Sequence, residues 1–457
     1  MSSSRRSFLK ATGGLAVAAT VPMSPARAQS VRKVRLMHTQ AGDPPMRKWF
    51  IDAIQQFNQL HKDIEVVPEF IPWTDAYPKV QAGIQSGSPP DLIHGDPFAY
   101  GALMAAKLLE PMTGIIKDMG WDKDMFPNAR VVLQDGNDYL VPTWIEILGL
   151  FYRKDWLAEK GVTAPFKSWD DIIAAAKALT EPSKGRWGIA MGLKRAGKIG
   201  DDFVSILYGL GGHLYNPDRT PAANTPVFKE TLEIVRRLCE YSPPDAVEWE
   251  YAGVRTGYKS GKVGLHIYEP RTMTEILGQP FGGYGSGFPQ LLDVTGWQLL
   301  PSRSAAEWPA QAIARGSLEG FAILKGSPNK ADAARFVTWL LQDRSRYISM
   351  LQTVPLMELP VLSSVVDDDV YWDHVSYKRV PEYVPALKGA AKAFGQGKIV
   401  NRKMDVYPES RIVIPESSVA LGSLAVDDAV LSYVLEKQPI DQVVNTLNEK
   451  LARFVKS

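Results

Sequence analysis

The chain has 457 residues, of which 45% are hydrophobic and 22% charged, and its formal net charge is +2. That length is enough for two or three packed domains, and no apolar run approaches the roughly 20 residues that a membrane-spanning helix needs. The near-neutral charge makes nucleic acid and anionic membranes poor partners, and a single cysteine excludes an internal disulfide.

The first 28 residues contain the three parts of an export signal. Paired arginines, Arg5 and Arg6, precede a mildly apolar stretch, and Ala26 and Ala28 provide the small residues of a cleavage site. We interpret residues 1–28 as a twin-arginine signal peptide of a periplasmic protein; the alternative is a disordered basic N-terminus. Removing them takes away four basic residues and no acidic one, which changes the formal charge from +2 to −2.

From residue 31 the chain alternates between strand and helix patterns. "VRKVRLMH", "IEVVPEFIP" and "PPDLIHG" are strand-like, and "PPMRKWFIDAIQQFNQLHKD" has apolar residues at the spacing of a helix. The alternation resumes after Phe151, where Ser168 and Asp171 form a capping box before another helix. The tail ends in an amphipathic helix from Ile440. This pattern predicts an α/β protein with a mostly parallel sheet covered by helices.

No catalytic, metal-binding or cofactor motif in the sequence is complete. "GLKRAGKIG" has the glycines and Lys198 of a phosphate-binding loop, but Ile199 stands where a Ser or Thr must contact magnesium, so a solvated surface turn is predicted. The six histidines lack the spacing of zinc ligands. Glu146 and Glu269 could supply the two carboxylates of a glycosidase. We therefore predict no cofactor and no metal, and keep an exported carbohydrate-active enzyme as an alternative.

Three segments far apart in the chain resemble one protein family. They are "GNDYLVPTWIEILGLFYRKDWLAEKGVTAPFKSWDDI", "YKSGKVGLHIYEPRTMTEI" and "GSLEGFAILKGSPNKADAARFVTWLL". In content and order they are similar to the family 1 extracellular solute-binding proteins of ABC importers, the periplasmic sugar-binding family that includes the maltose-binding protein. The resemblance covers roughly residues 31–345. It implies a type II periplasmic-binding-protein fold, in which hinge strands join two α/β lobes with a ligand cleft between them.

The same resemblance implies a domain order and a function. We expect lobe 1 over residues 29–144 and 269–317, and lobe 2 over residues 145–268 and 318–457, including the C-terminal helices. The implied function is capture of a carbohydrate or related polyhydroxylated solute, acidic ones included, by lobe closure. A monomer would then deliver it to the permease subunits of an ABC transporter. A sensor that passes a ligand signal to a membrane receptor is the second alternative.

At the first crossing, "VPTWIEILGL" places Trp144 and Glu146 inside an apolar run. Burying an ionised carboxylate without a partner costs several kcal/mol, so both residues make sense at a cleft. There the carboxylate would accept hydrogen bonds from hydroxyl groups, and the indole would stack on a sugar face. The resemblance implies the same contact for the acid. The alternative is a Glu146 paired with a core arginine beside a packed Trp144.

The resemblance points to further ligand contacts at the other crossings. After the "PPDLIHG" strand, Asp96 is a stronger candidate than His94. At the second crossing the candidates are Tyr268, Glu269 and Arg271. Arg271 stands where the maltose binder has an aromatic residue, and its guanidinium would suit an anionic group or pair with Glu269. The remaining ligand-binding candidates are Trp73, Tyr100, Gly212, Arg315 and Ser317.

Overall fold

The computed structural model describes residues 31–39, 44–72, 75–282, 285–302, 315–396, 400–401, 404–406 and 413–456. The predicted signal peptide lies outside these residues. The β-strands are β1 (Arg32–His38), β2 (Ile64–Phe70), β3 (Leu92–Gly95), β4 (Val141–Arg153), β5 (Trp187–Ala190), β6 (Val263–Tyr268), β7 (Thr295–Leu299), β8 (Arg315–Ile323), β9 (Leu359–Pro360), β10 (Val400–Asn401), β11 (Asp405–Val406) and β12 (Val413–Ile414).

The α-helices cover the strands and form most of the C-terminal third. They are α1 (Pro44–Leu60), α2 (Ala76–Gln85), α3 (Pro97–Ala105), α4 (Thr113–Asp118), α5 (Lys154–Glu159), α6 (Trp169–Leu179), α7 (Lys198–Gly209), α8 (Pro226–Cys239), α9 (Tyr251–Lys259), α10 (Arg271–Leu277), α11 (Pro289–Leu292), α12 (Lys330–Gln342), α13 (Arg344–Leu351), α14 (Ser363–Val366), α15 (Asp369–Trp372), α16 (Val375–Arg379), α17 (Tyr383–Gly395), α18 (Glu416–Gly422), α19 (Ala425–Val434) and α20 (Ile440–Lys456).

Two of the predicted helices show how local sequence determines them. Helix α1 turns its apolar positions, among them Phe50 and Phe57, into the core, as the 3.6-residue period requires. The capping box is confirmed at α6, where Ser168 and Asp171 each satisfy a backbone N–H of the other. In the described part of the chain no single helix is long and apolar enough to cross a membrane; α18 and α19 pass that test only as a pair, bent by 56°.

Strand β4 is shared by two halves of one mixed sheet. Its residues Val141–Leu148 pair antiparallel with β8, whereas Gly149–Arg153 pair antiparallel with β6 and β7. We call lobe 1 the part built on β1, β2, β3, β8 and the first half of β4, and lobe 2 the part built on β5, β6, β7 and its second half. Pairing is parallel between β1, β2 and β3 in lobe 1 and between β5 and β6 in lobe 2. The sheet is mixed where the sequence predicts a mostly parallel one, because β8 runs antiparallel to β3 and β4 and β4 runs antiparallel to β6 and β7.

Among the described residues, the buried hydrophobic side chains form two clusters. The first fills lobe 1, where Phe57 of α1 packs edge-on against Phe336 of α12 with ring centroids 5.1 Å apart, and it continues across the crossing to residues of β6 and β7 such as Val263 and Trp297. The second cluster lies in lobe 2, where Phe203 of α7 packs against Phe228 of α8 at 4.8 Å. Burial of apolar surface is the dominant stabilising term in folding, so the first cluster stabilises the junction of the two lobes as well as lobe 1.

The packing divides the chain differently from the expected boundaries. The expected lobe 1 return, residues 269–317, packs in the first cluster through residues such as Met273 and Leu291, but it contains β7, which pairs with the lobe 2 half of β4. The expected final lobe 2 segment, residues 318–457, begins with most of β8, which pairs with β3, and with α12, which packs against α1. Its last three helices, α18 to α20, do join the second cluster. An amphipathic pattern shows which face of a helix is buried but not which sheet that face covers.

Candidate functional site

The candidate site lies where β4 passes from lobe 1 to lobe 2. Glu146 is paired with Ser317 of β8, and Gly149 is paired with Tyr268 of β6. Facing residues of an antiparallel pair have Cβ atoms about 4.5–5.5 Å apart, and three residues of strand span about 10 Å. The three segments picked out in the sequence therefore meet within one short stretch of β4.

Glu146 and Trp144 are both buried at this crossing. Glu146 is 4% exposed and Trp144 is completely buried. The indole Nε1 donates a long hydrogen bond to Glu146 Oε1 at 3.4 Å, and its ring packs against His94, with centroids 4.9 Å apart. The indole therefore contacts the Glu146 carboxylate from one side and His94 from another. These contacts orient the carboxylate, and stacking of Trp144 on a ligand stays a prediction.

Lobe 1 contributes the residues that follow β3. Asp96 is buried at the end of that strand, next to the predicted site. Tyr100 is fully buried, and its hydroxyl donates to the backbone oxygen of Leu318 at 2.9 Å, so this side chain ties α3 to β8. His94 is stacked on His38 with centroids 4.3 Å apart, and burial, with the charge of His38, holds the pKa of His94 well below its ordinary value. His94 is thus a neutral core residue and not a ligand contact.

Tyr268 is held from two sides at the second crossing. It is 5% exposed, and so is Glu269, the next residue. Arg255 donates a short hydrogen bond to the Tyr268 hydroxyl. The Arg255 guanidinium and the Lys198 ammonium lie 5.0 Å and 5.5 Å from the centre of the tyrosine ring, within the range of cation–π attraction. The ring is therefore fixed in orientation beside the β4 crossing.

Arg271, the third candidate of the second crossing, has a carboxylate partner one helical turn along α10. Its Nε lies 3.6 Å from Glu275 Oε1, and the same carboxylate pairs with Arg255 at 3.0 Å and with Lys259. Burial alone would raise the pKa of Glu275, but these cations hold it below its ordinary value. In the sequence analysis Glu269 is the one protein partner named for Arg271. The structure adds Glu275, whose carboxylate Arg271 shares with Arg255 and Lys259.

Lys198 is a candidate site residue that the sequence analysis assigns to a surface turn. That prediction is wrong, because Lys198 begins α7 and is 2% exposed. Its Nζ forms an ion pair with Asp202 and donates to the backbone oxygen of Ile267 at 3.2 Å, one residue before Tyr268. The sequence signal that could have revealed it is the spacing of four between Lys198 and Asp202 at the start of an apolar helix, which places both on one face.

We call Lys198, Asp202 and two further carboxylates, Asp201 and Asp427, the polar wall of lobe 2. Asp201 accepts a hydrogen bond from the Tyr251 hydroxyl at 3.3 Å, and Asp427 accepts one from the backbone N–H of Gly197 at 2.7 Å. Burial, together with the nearby charge of Asp201, raises the pKa of Asp427 to about 7. Across the described residues, no group of three His, Cys, Asp or Glu side chains is placed to hold a metal ion. The wall offers carboxylate acceptors and an ammonium donor, the groups that bind hydroxyl-rich molecules.

For three of the predicted site residues, the structure shows no side chain at the crossing. A Cβ at Gly212 would lie 3.0 Å from Leu207 Cγ and 3.1 Å from Val227 Cγ1, so Gly212 is packed inside lobe 2, which corrects its candidate role. Trp73 lies outside the described residues. Arg315 opens β8 at the crossing, but its side chain is not among those described.

The sequence has relatives among transport proteins. Residues 43–346 match the family of bacterial extracellular solute-binding proteins. The chain is 23% identical over 323 residues to the ABC transporter periplasmic-binding protein YcjN of Escherichia coli K12. The alignment covers 69% of this chain and 70% of YcjN. The chain is 29% identical over 175 residues to the mannitol-binding protein of Pseudomonas aeruginosa, which covers 36% of this chain and 39% of that protein.

The fold has counterparts among solved structures. The solute-binding protein of Agrobacterium radiobacter K84 in complex with ribitol superimposes with a TM-score of 0.72 at 18% identity, covering 92% of this chain and 98% of that one. This likeness confirms the predicted two-lobed α/β fold. The family match confirms the prediction of a binding protein instead of an enzyme. The chain belongs to the family of bacterial extracellular solute-binding proteins.

Proposed function

We propose that this protein is the periplasmic receptor of an ABC importer and that it captures a small polyol or sugar between its lobes. The observation that carries the proposal is the meeting of Glu146, Ser317 and Tyr268 at the β4 crossing, with Lys198 beside the tyrosine. A carboxylate, a hydroxyl and an ammonium can accept and donate hydrogen bonds to several hydroxyl groups at once. The mannitol-binding relative and the ribitol complex support a polyol.

The mechanism is closure of the lobes around the solute. Strand β4 joins the two lobes, so closure would be a hinge motion about this strand. A solute that contacts Glu146 of the lobe 1 half of β4 and Lys198 of lobe 2 binds the closed form more tightly than the open form. It therefore shifts the population toward closure.

The decisive experiment is a thermal-shift panel with D-mannitol, ribitol, D-tagatose, maltose and gluconate. A ligand at about 100 times its Kd raises the free energy of unfolding by about 2.7 kcal/mol. With an unfolding entropy of roughly 2.1 cal/mol/K per residue, this corresponds to about 3 °C for a chain of 457 residues. Isothermal titration then gives the Kd of each positive compound. No shift with any of the five compounds would contradict the proposed ligand class.

Export is a separate part of the proposal and rests on residues 1–28. If these residues are a twin-arginine signal, the double change Arg5→Lys and Arg6→Lys should hold the precursor in the cytoplasm. Fractionation of cells that express the full chain measures this. Normal accumulation of the variant in the periplasm would count against twin-arginine export but would leave the binding function untouched.

A further inference from the structure

Helices α3 and α18 form a direct contact between the two lobes. Helix α3 belongs to lobe 1, because it contacts β3 and β8 and the Tyr100 hydroxyl is bonded to β8. Helix α18 belongs to lobe 2, because Ala420 and Leu421 lie in the second cluster. The two helices pack against each other. The contact begins one turn after Asp96, at the edge of the candidate ligand site.

The contact depends on a glycine in α3. Gly101 is buried, and a Cβ placed on it would overlap Cβ and Oγ of Ser418 in α18 and lie 3.7 Å from Met404 Sδ. A glycine inside a helix costs about 0.5–1 kcal/mol relative to alanine. Its backbone does not need this residue type, because Gly101 has no positive φ. The close approach of Ser418 is what requires the missing side chain.

The region beside this contact is open. A cavity of about 380 Å³ is lined by Met104 and Tyr139 from lobe 1 and by Arg219 and Glu416 from lobe 2. The packing of α3 on α18 ends at this cavity. Within the packed part there is no room for a side chain at position 101, so an added methyl group would push the two helices, and with them the lobes, apart.

We propose that Gly101 and Ser418 set the ligand affinity of this protein by permitting full closure of the lobes. The inference rests on the proposed function, since it concerns the closed form that holds the solute. The pair acts by position and does not contact the solute. The apparent Kd equals the intrinsic Kd divided by the closed, binding-competent fraction. A side chain at position 101 that lowers this fraction tenfold raises the apparent Kd about tenfold, with every ligand contact unchanged.

The test compares Gly101→Ala and Gly101→Val with a matched control, Gly114→Ala. Gly114 is also helical, in α4, but a Cβ there has no atom within 4 Å. With D-mannitol as the probe in isothermal titration, we expect the Kd to rise about tenfold in Gly101→Ala, more in Gly101→Val, and not in the control. The double variant Gly101→Ala/Ser418→Gly removes both overlapping atoms and should restore most of the affinity. An unchanged Kd in Gly101→Val would overturn the inference.

Melting of the ligand-free protein separates this role from ordinary packing. If the contact forms only on closure, Gly101→Ala should melt at or above the wild-type temperature, because the open form relieves the overlap and alanine favours the helix. A fall of several degrees that Ser418→Gly cancels would show permanent packing and would overturn the inference. Failure of the wild type to bind D-mannitol would instead count against the proposed ligand. The melting comparison would still test whether the Gly101–Ser418 contact forms only on closure.

Discussion

Replacing Lys198 with methionine tests whether the ion pair at the start of α7 serves the ligand site or only the fold. Methionine keeps an unbranched side chain of similar length but removes the charge. It removes the ion pair with Asp202 and the hydrogen bond to the Ile267 backbone oxygen. The side chains of Lys198 and Asp202 are 2% and 1% exposed, so the remaining carboxylate stays buried without its cation.

The size of the stability loss follows from this burial. Removing one partner of a buried ion pair costs about 3–5 kcal/mol. An unfolding entropy of roughly 2.1 cal/mol/K per residue amounts to about 1 kcal/mol/K for 457 residues, so Lys198→Met should lower the melting temperature by about 3–5 °C. Lys262 is the matched control: it pairs with Asp245 at 2.7 Å on the surface, and Lys262→Met should cost less than about 1 kcal/mol.

A double variant separates folding from binding. Lys198→Met/Asp202→Leu removes both charges and should recover most of the melting temperature, because apolar residues often replace a buried ion pair at no net cost. Its affinity should not recover, since the ammonium donor is gone; we expect a Kd about ten- to a hundredfold above wild type in titrations with D-mannitol. A wild-type Kd in the double variant would remove Lys198 from the site. If Lys198→Met melted at the wild-type temperature, the prediction that the buried ion pair stabilises the fold would be refuted.

Three further substitutions test the site and the buried titratable groups. Glu146→Gln should raise the Kd about ten- to a hundredfold by calorimetry; unchanged affinity would exclude Glu146 from the site. Burial lowers the pKa of His38 to about 3, so the unfolded chain binds more protons below pH 6.5 and stability falls on acidification. His38→Phe should reduce that loss by about 1.6 kcal/mol in melts between pH 6.5 and 5, and an unaltered pH dependence would contradict this. Burial raises the pKa of Asp427 to about 7, so the folded state binds more protons between about pH 4 and 7 and loses stability as the pH rises. Asp427→Asn should remove this loss and be more stable at pH 8 by about 4 kcal/mol, whereas a melting temperature equal to wild type at pH 8 would argue against it.

The crossing could be located from sequence because its signals are local. A carboxylate in an apolar strand is unusual enough to indicate a cleft, and Glu146 does lie opposite Ser317 at the crossing. Tyr268 and Glu269 follow a recognisable strand and lie beside the same stretch of β4. Trp144 has the same local signal, yet its indole is enclosed by residues such as His94, about 50 positions away in the chain. Local pattern cannot distinguish a ring at a cleft from a ring in a core.

For Lys198 the local pattern predicts an exposed side chain, but the structure buries it. Charged residues between glycines usually form solvated turns, and Lys194 in the same segment is exposed. Lys198 is buried because Asp202 on its own helix and Tyr268 from another crossing surround it. The ion pair within α7 can be read from a spacing of four residues, but the tyrosine is 70 positions away. The Tyr268 ring lies near the Lys198 ammonium only in the folded chain, where the ring and Asp202 offset the cost of burying the charge.

The sequence by itself determined the α/β alternation, the apolar faces of α1 and α20, the capping box of α6 and the family, because each depends on residues within one or two turns or on ordered motifs. The tertiary structure decided which lobe each segment joins, which charges are buried, and that Gly101 must leave space for Ser418. These features depend on contacts between residues up to about 300 positions apart, such as Phe57 with Phe336 and Gly101 with Ser418. The physical reason is that periodicity and propensity specify which surface of an element is apolar, whereas the partner of that surface is selected by the close packing of the whole chain.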